Sequence, residues 1–357
     1  MEISNKENIT PPVMKQNNNT SDYSFLSCTE IFCEPLIEAK QPQKQNNNIY
    51  HQQQMYPKLL QVKSQVDPSL VADTRVLSNL IRTESRYLPK YPNYFKTVQV
   101  EVKPHMRKIV SDWMLEVSQE LCCPPEVFCL AMNLMDRFLA KCRIEKSQLQ
   151  LLGAVCLFLS SKFKETAPIP SEKLVMYTDF SVSLEAIREW ELFVLYKLKW
   201  DLGAVTGLDY LDYILPQLSF HASVEAREVR RHTETVIALS ATHYLFSYVR
   251  PSVIAASAIA VTYRSLLSSE AQFSEHGARQ FLDSLQTVTQ ADLAEVEACS
   301  AAMFQTLPDF LTASKSSSQI SPSLSSSPSS SSDPASPEAQ DTLVNSFGNS
   351  SFLVKSC

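Results

Sequence analysis

Residues 149–163 read LQLLGAVCLFLSSKF, and this stretch decides the fold. Apolar residues stand nearly all round a 3.6-residue period, so a helix here must be surrounded by other helices. The run from Leu149 to Leu159 is about half the length needed to cross a bilayer and contains Gln150. It therefore reads as the buried centre of a helical bundle. A weak echo follows, in which VIAASAIAVTYR from Val253 aligns with LLGAVCLFLSSK from Leu151. Both have small residues at their middle, which let neighbours pack closely, and a cation at the end. One buried helix per bundle, twice over, predicts two similar all-α domains in tandem, joined near KWDLGAVTG.

The flanking pattern agrees. Met106, Ile109, Val110, Trp113, Met114, Val117 and Leu121 follow one another by three and four and share one helix face. Arg107, Lys108, Asp112 and Glu116 fall outside it. Pro124 and Pro125 end this helix and pre-set the first turn of the next, which carries Val127, Leu130, Leu134 and Phe138. Pro168 and Pro170 break off the central helix. Ser171 is expected to cap a short helix through Tyr177, and Ser183 another to Leu198. Strand signals are nearly absent, with no Asn-Gly or Asp-Gly turn.

At 357 residues, 44% of them hydrophobic, the chain has room for two domains and tails. Residues 1–66 are rich in Asn and Gln, and those from 313 onward in Ser and Pro; neither buries enough surface to offset the entropy of ordering. Both are expected to be disordered. A net charge of −6 without a long basic run excludes a phosphate-gripping face, hence a nucleic-acid partner. Five glycines argue against a Rossmann domain or glycine-rich phosphate loop. MEISNKENIT lacks the apolar stretch of a secretory leader, and no membrane partner is expected. Nine irregularly spaced cysteines fit a reducing compartment. Cys122, Cys123 and Cys129 lack the second pair or histidine couple that zinc requires and read as buried thiols. No metal and no cofactor are expected. The six histidines are scattered outside any catalytic context, which argues against an enzyme.

Four segments carry a resemblance. MRKIVSDWMLEV from Met106, AMNLMDRFLA from Ala131, SSKFKETAPIPSEKLVMYTD from Ser160 and KLKWDL from Lys197 resemble the cyclin box, specifically that of a D-type cyclin. The likeness runs from Asp67 to Leu307 and is thinner in the second half. It implies two five-helix cyclin folds, over 67–202 and 203–312, between an arm (1–66) and a tail (313–357). It also implies a regulatory subunit with no catalytic centre, which activates a cyclin-dependent kinase of the D-type-cyclin-dependent class in G1. That subunit would direct the kinase to retinoblastoma-type pocket proteins and promote the G1/S transition, in nucleus and cytoplasm. A general transcription factor of the IIB type also stacks two cyclin folds, but it calls for a zinc ribbon and a basic DNA-facing surface. The sequence offers neither.

The resemblance assigns roles residue by residue. Lys162 closes the central helix and Glu191 is the lone acid of WELFVLY. By pattern alone they are a snorkelling lysine and an acid on a wet helix edge; by resemblance they grip the kinase beside its mobile activating helix. Met106, Arg107, Ile109, Val110, Trp113, Glu116, Leu149 and Gln150 match a shallow groove that takes Arg-x-Leu segments of substrates and kinase inhibitors. Glu116 is the acid for the peptide's arginine, while Lys108 and Val110 depart from the usual Ala and Leu. Leu26, Cys28 and Glu30 spell L-x-C-x-E, the motif by which D-type cyclins resemble other ligands of the retinoblastoma pocket. Residues two apart in an extended chain point the same way, so Phe32 joins them as a fourth contact. Ser321, Ser327 and Ser336 precede proline and are candidate phosphorylation sites, through which ubiquitin-ligase components would act. The family's tail Thr-Pro is missing, and Ser336 is its nearest substitute. Lys6-Glu7-Asn8 spells a KEN degron, a short word that an Asn-rich arm also produces by composition.

Overall fold

The computed structural model describes residues 67–91, 93–222, 224–267 and 275–307. The Leu26, Cys28, Glu30 and Phe32 series, the KEN word, Ser321, Ser327, Ser336 and the expected disorder of arm and tail lie outside the described residues.

Two leading helices, α1 (Pro68–Ala72) and α2 (Thr74–Glu84), and a single turn, α3 (Tyr94–Thr97), precede the first bundle. That bundle consists of α4 (Pro104–Glu120), α5 (Pro125–Leu139), α6 (Leu149–Lys164), α7 (Ser171–Tyr177) and α8 (Leu184–Leu198). The second consists of α9 (Leu211–Ile214, flanked by 3-10 turns), α10 (Ala226–Ala241), α11 (Pro251–Leu267), α12 (Glu275–Thr289) and α13 (Leu293–Thr306). No strand occurs among the described residues. The expected centres are the observed ones: α4, α5 and α8 pack round α6, and α10, α12 and α13 round α11. The bundles meet where α5 lies against α10.

Small residues set the helix spacing. A Cβ on Gly153 would stand 2.9 Å from Val110 Cγ1 and 3.1 Å from Met114 Sδ, so α4 lies on α6 where α6 has no side chain. Ala255, Ala256 and Ala258, all buried, are the small residues of α11. Gly153→Leu should overpack this contact and cost about 1–3 kcal/mol, visible as a lower midpoint in thermal unfolding. An unchanged midpoint would show that α4 can move away freely.

Helix ends follow the sequence with two corrections. Ser183 caps α8 as expected, its Oγ accepting from the Ala186 amide at 3.1 Å. Ser171 is not a cap: Pro170 takes that position with extended backbone, and Ser171 is the first helical residue, donating to Glu172 Oε2 at 3.3 Å. Pro170 has no N–H and a fixed φ, which suits the place just before the helix. Among the described residues no glycine takes a positive φ, and Cys122, Asp179, Phe180, Lys199, Trp200 and Gln290 do so instead. At the end of α4, Cys122 N–H donates to Gln119 O and Cys123 N–H to Ser118 O, at 3.0 and 2.9 Å, the pair of hydrogen bonds of a Schellman ending. That turn carries Cys122 into solvent, correcting its expected burial. Cys129 is buried, and burial raises its thiol pKa. Burial and then Glu165 push the Cys123 thiol up to about 12. Among the described residues no three His, Cys, Asp or Glu groups are placed to hold a metal ion, and no helix is long and apolar enough to cross a membrane.

Glu84, at the end of α2, joins the leading helices to the second bundle. It is buried and accepts from Tyr210 Oη, Ser252 N and Ser252 Oγ, each at 2.8 Å. Three donors satisfy a carboxylate that would otherwise be costly to bury.

Candidate functional site

Lys162, in the last turn of α6, and Glu191, in mid-α8, meet across the first bundle. Nζ lies 2.8 Å from Oε1, with the side chains 31% and 17% exposed. Lys162 Nζ also sits 4.0 Å from the centre of the Phe158 ring, a favourable place for a cation. The pair is thus pre-positioned and partly shielded, where charges interact more strongly than in open water. Phe163 and Leu192, next to the pair in sequence, are exposed, as are Tyr196 and Trp200 at the end of α8. Lys199 and Trp200 both have positive φ, and the Trp200 amide bonds Leu195 O at 2.9 Å, so the turn holds the indole outward. Large exposed apolar groups beside a shielded charge pair suit a protein-binding surface. In the second bundle Arg264 occupies the position aligned with Lys162, but stacks over Phe304 of α13 at 5.5 Å.

The groove residues divide. Ile109 is 50% exposed and Glu116 is exposed, while Met106, Val110, Trp113 and Gln150 are partly buried. Trp113 Nε1 donates to Tyr177 O at 3.2 Å, fixing the indole against the end of α7. Gln150 Oε1 accepts from Ser181 Oγ at 3.2 Å, drawing the α7–α8 turn to the same place. Leu149 is buried beneath these residues and does not line the surface.

Arg107 is a correction. It is 1% exposed and belongs to no surface groove. Its Nε and Nη2 bind the two oxygens of Asp136 at 2.8 and 2.7 Å. Its Nη1 bonds Thr242 O at 2.8 Å and Nη2 bonds Ala241 O at 3.1 Å, across the junction with α10. Tyr94 Oη donates to Asp136 at 2.7 Å. Burial opposes the charge on Arg107, but Asp136 outweighs it and raises the arginine pKa; burial raises that of Tyr94 as well. Position 107 lies off the apolar face of α4 and points at α5 and the second bundle, not at water. The DRF of AMNLMDRFLA holds the partner acid, so a buried pair was one legible alternative.

With this geometry, residues 75–203 match the family Cyclin, N-terminal domain, and residues 205–333 the family Cyclin, C-terminal domain. The chain belongs to the cyclin family. Its relatives place this cyclin among the D type. It is 50% identical over 200 residues to G1/S-specific cyclin-D3 of Homo sapiens, spanning 56% of this chain and 68% of that protein. It is 44% identical over 237 residues to G1/S-specific cyclin-D2 of Xenopus laevis, spanning 66% and 80%. A viral cyclin from herpesvirus saimiri shares the fold, with a TM-score of 0.57 at 22% identity over 67% of this chain and 100% of that one. Like other cyclins, this one is a regulatory subunit of a protein kinase and not itself an enzyme.

In this cyclin the ion pair and the groove sit on separate parts of the first bundle and can be altered one at a time. The end of α7 and the turn that follows it, which bring Tyr177 O and Ser181 to the groove, were not assigned to it by sequence reasoning; only the tertiary bonds to Trp113 and Gln150 reveal their place.

Proposed function

We infer that this cyclin binds and activates a cyclin-dependent kinase of the D-type-cyclin-dependent class in G1 and promotes the G1/S transition. The observation that carries this reading is the shielded Lys162–Glu191 pair among exposed apolar side chains. The names of the D3 and D2 relatives support the phase of the cycle. A kinase is active only when its strand lysine pairs with the glutamate of a mobile helix. A partner that holds that helix in the paired position activates by shifting a population, without doing chemistry. Copurification from cells should recover a protein kinase whose activity depends on the cyclin. A folded cyclin that retains and activates no kinase would overturn the assignment.

Two further roles accompany it. The groove of Met106, Ile109, Val110, Trp113, Glu116 and Gln150 receives Arg-x-Leu segments of substrates and kinase inhibitors, Glu116 pairing with the arginine. The arm binds a retinoblastoma-type pocket as an added extended strand, with Leu26, Cys28 and Phe32 in apolar pockets and Glu30 accepting from amides. Ordering the arm makes its own affinity modest, and its contribution is to raise the local concentration of substrate near the kinase. Cys28→Gly with Glu30→Lys should reduce phosphorylation of the pocket protein and spare kinase assembly. Calorimetry with a peptide from Asp22 to Pro35 should show binding to the purified pocket; no heat at high micromolar concentration removes the arm from this role. The matching division is an arm (1–66), two cyclin folds (67–202 and 203–312) and a tail (313–357), in a protein of nucleus and cytoplasm. Phosphate on Ser336, or on Ser321 and Ser327, would create a site for ubiquitin-ligase components. Ser336→Ala should then lengthen the half-life, and no change with all three replaced would exclude the tail.

A further inference from the structure

Three segments bring cations to one place on the first bundle: residues 85–91 after α2, the end of α5, and the turn after α8. Buried Arg137 of α5 ties them together. Its Nη2 donates to Asp201 O at 2.9 Å, and its guanidinium lies over the Tyr87 ring, 5.2 Å from the centroid. Asn133, one turn earlier, donates to Tyr87 O at 2.9 Å, and Arg86 binds Asp201 Oδ2 through Nε at 3.1 Å and Nη2 at 2.8 Å. Each segment adds an exposed lysine, Lys90, Lys141 and Lys199 in turn. They feel one another: partial burial, and then Arg137, Lys199 and Lys90, lower the Lys141 pKa, with Asp201 opposing them.

Nothing among the described residues neutralises these lysines. Asp201 is engaged by Arg86 at 2.8 Å and lies 4.0 Å from Arg137, and none of the three lysines forms an ion pair with a described residue. Nor are they needed at the helix ends, where cations ordinarily serve the last carbonyls. Asp136 O and Phe138 O accept from the amides of Ala140, Lys141 and Cys142, and Leu139 O from Gln99. Leu195 O, Tyr196 O and Leu198 O accept from the amides of Trp200, Lys199 and Asp201. A chain of net charge −6 thus holds unpaired cations together at one point.

We propose that Lys90, Lys141 and Lys199 form an oxyanion site that binds the phosphoryl group of a phosphoserine- or phosphothreonine-bearing segment of a partner protein. A phosphoryl group places about two negative charges and three acceptor oxygens at one point. It can therefore meet cations from three segments together and offset their mutual repulsion. Aspartates and glutamates along a chain offer one charge per residue and meet fewer of these lysines at a time. The site reads prior phosphorylation of the partner, and it uses neither the Lys162–Glu191 pair nor the groove residues.

The test uses the full-length chain and three fluorescent peptides, Gly-Ala-X-Pro-Ala-Gly, in which X is phosphoserine, serine or glutamate. The phosphoserine peptide should bind roughly ten-fold more tightly than the other two, weaken with added salt and be displaced by inorganic phosphate. Lys90→Gln with Lys141→Gln should remove roughly ten-fold of that affinity, with the thermal midpoint and kinase activation unchanged. Arg227→Gln with Arg231→Gln, the same loss of charge at exposed positions of α10, should leave it intact. No binding of the phosphoserine peptide at millimolar concentration overturns the site. Equal binding of the glutamate peptide would make this a general surface for acidic chains, and equal losses in the two double variants would reduce it to net charge; either result overturns the proposal. Loss of kinase binding in the Lys90 and Lys141 variant would assign the cluster to the kinase and overturn it as well.

Discussion

Lys162→Glu should weaken kinase binding by roughly 30-fold to several-thousand-fold. The contact is partly shielded, and disrupting one member of a desolvated charge pair across an interface costs about 2–5 kcal/mol or more, which converts to that range. Two effects add. The surface offered to the kinase loses a cation, and a new carboxylate faces Glu191, whose Oε1 now lies 2.8 Å from Lys162 Nζ. Glu191→Lys should behave alike. The exchange Lys162→Glu with Glu191→Lys separates fold from function, since it restores the internal pair and the thermal midpoint but presents reversed charges to the kinase. Binding should therefore stay lost in the exchanged protein. Titration of purified kinase with each folded variant decides the matter, and wild-type affinity in the single variants would remove the pair from the interface.

Arg107→Ala should lower stability by about 3–5 kcal/mol, the typical cost of leaving one partner of a buried pair uncompensated. Asp136 would be left buried with Tyr94 Oη as its remaining donor, and Thr242 O and Ala241 O would lose the guanidinium that ties α4 to α10. Against a total stability of about 5–15 kcal/mol, this is a large fraction. For bundles of this size it corresponds to a midpoint drop of roughly 6–20 °C. Arg107→Met with Asp136→Leu should recover part of the loss, because no buried charge remains. Calorimetric unfolding of the three proteins tests this. If Arg107→Ala melts like the wild type, the network is not what joins the bundles.

Both predictions concern residues that the sequence singled out, and for one of them the expected placement at the surface did not hold. Lys162 and Glu191 follow from motifs at helix positions that the apolar pattern defines, and the structure brings them together. Arg107 was placed in a groove because motif matching gives an address on a helix without saying what lies opposite.

The sequence by itself determined the two bundles, their central helices and most helix ends. Residues 151–161, all buried, have no face that water could solvate, the same pattern returns from Val253, and Pro124, Pro125, Pro168 and Pro170 mark breaks through local backbone geometry alone. Tertiary structure alone decided which polar groups went inside. Glu84 meets Tyr210 and Ser252, and Arg107 meets Thr242, across separations of more than a hundred residues. The exposure of Cys122 and Phe180 was likewise settled by left-handed turns in a chain that spends no described glycine on them. Periodicity reports the direction of a side chain around its own helix axis. Whether that direction ends in water, in a carboxylate or against another helix depends on packing between elements, which no local pattern encodes.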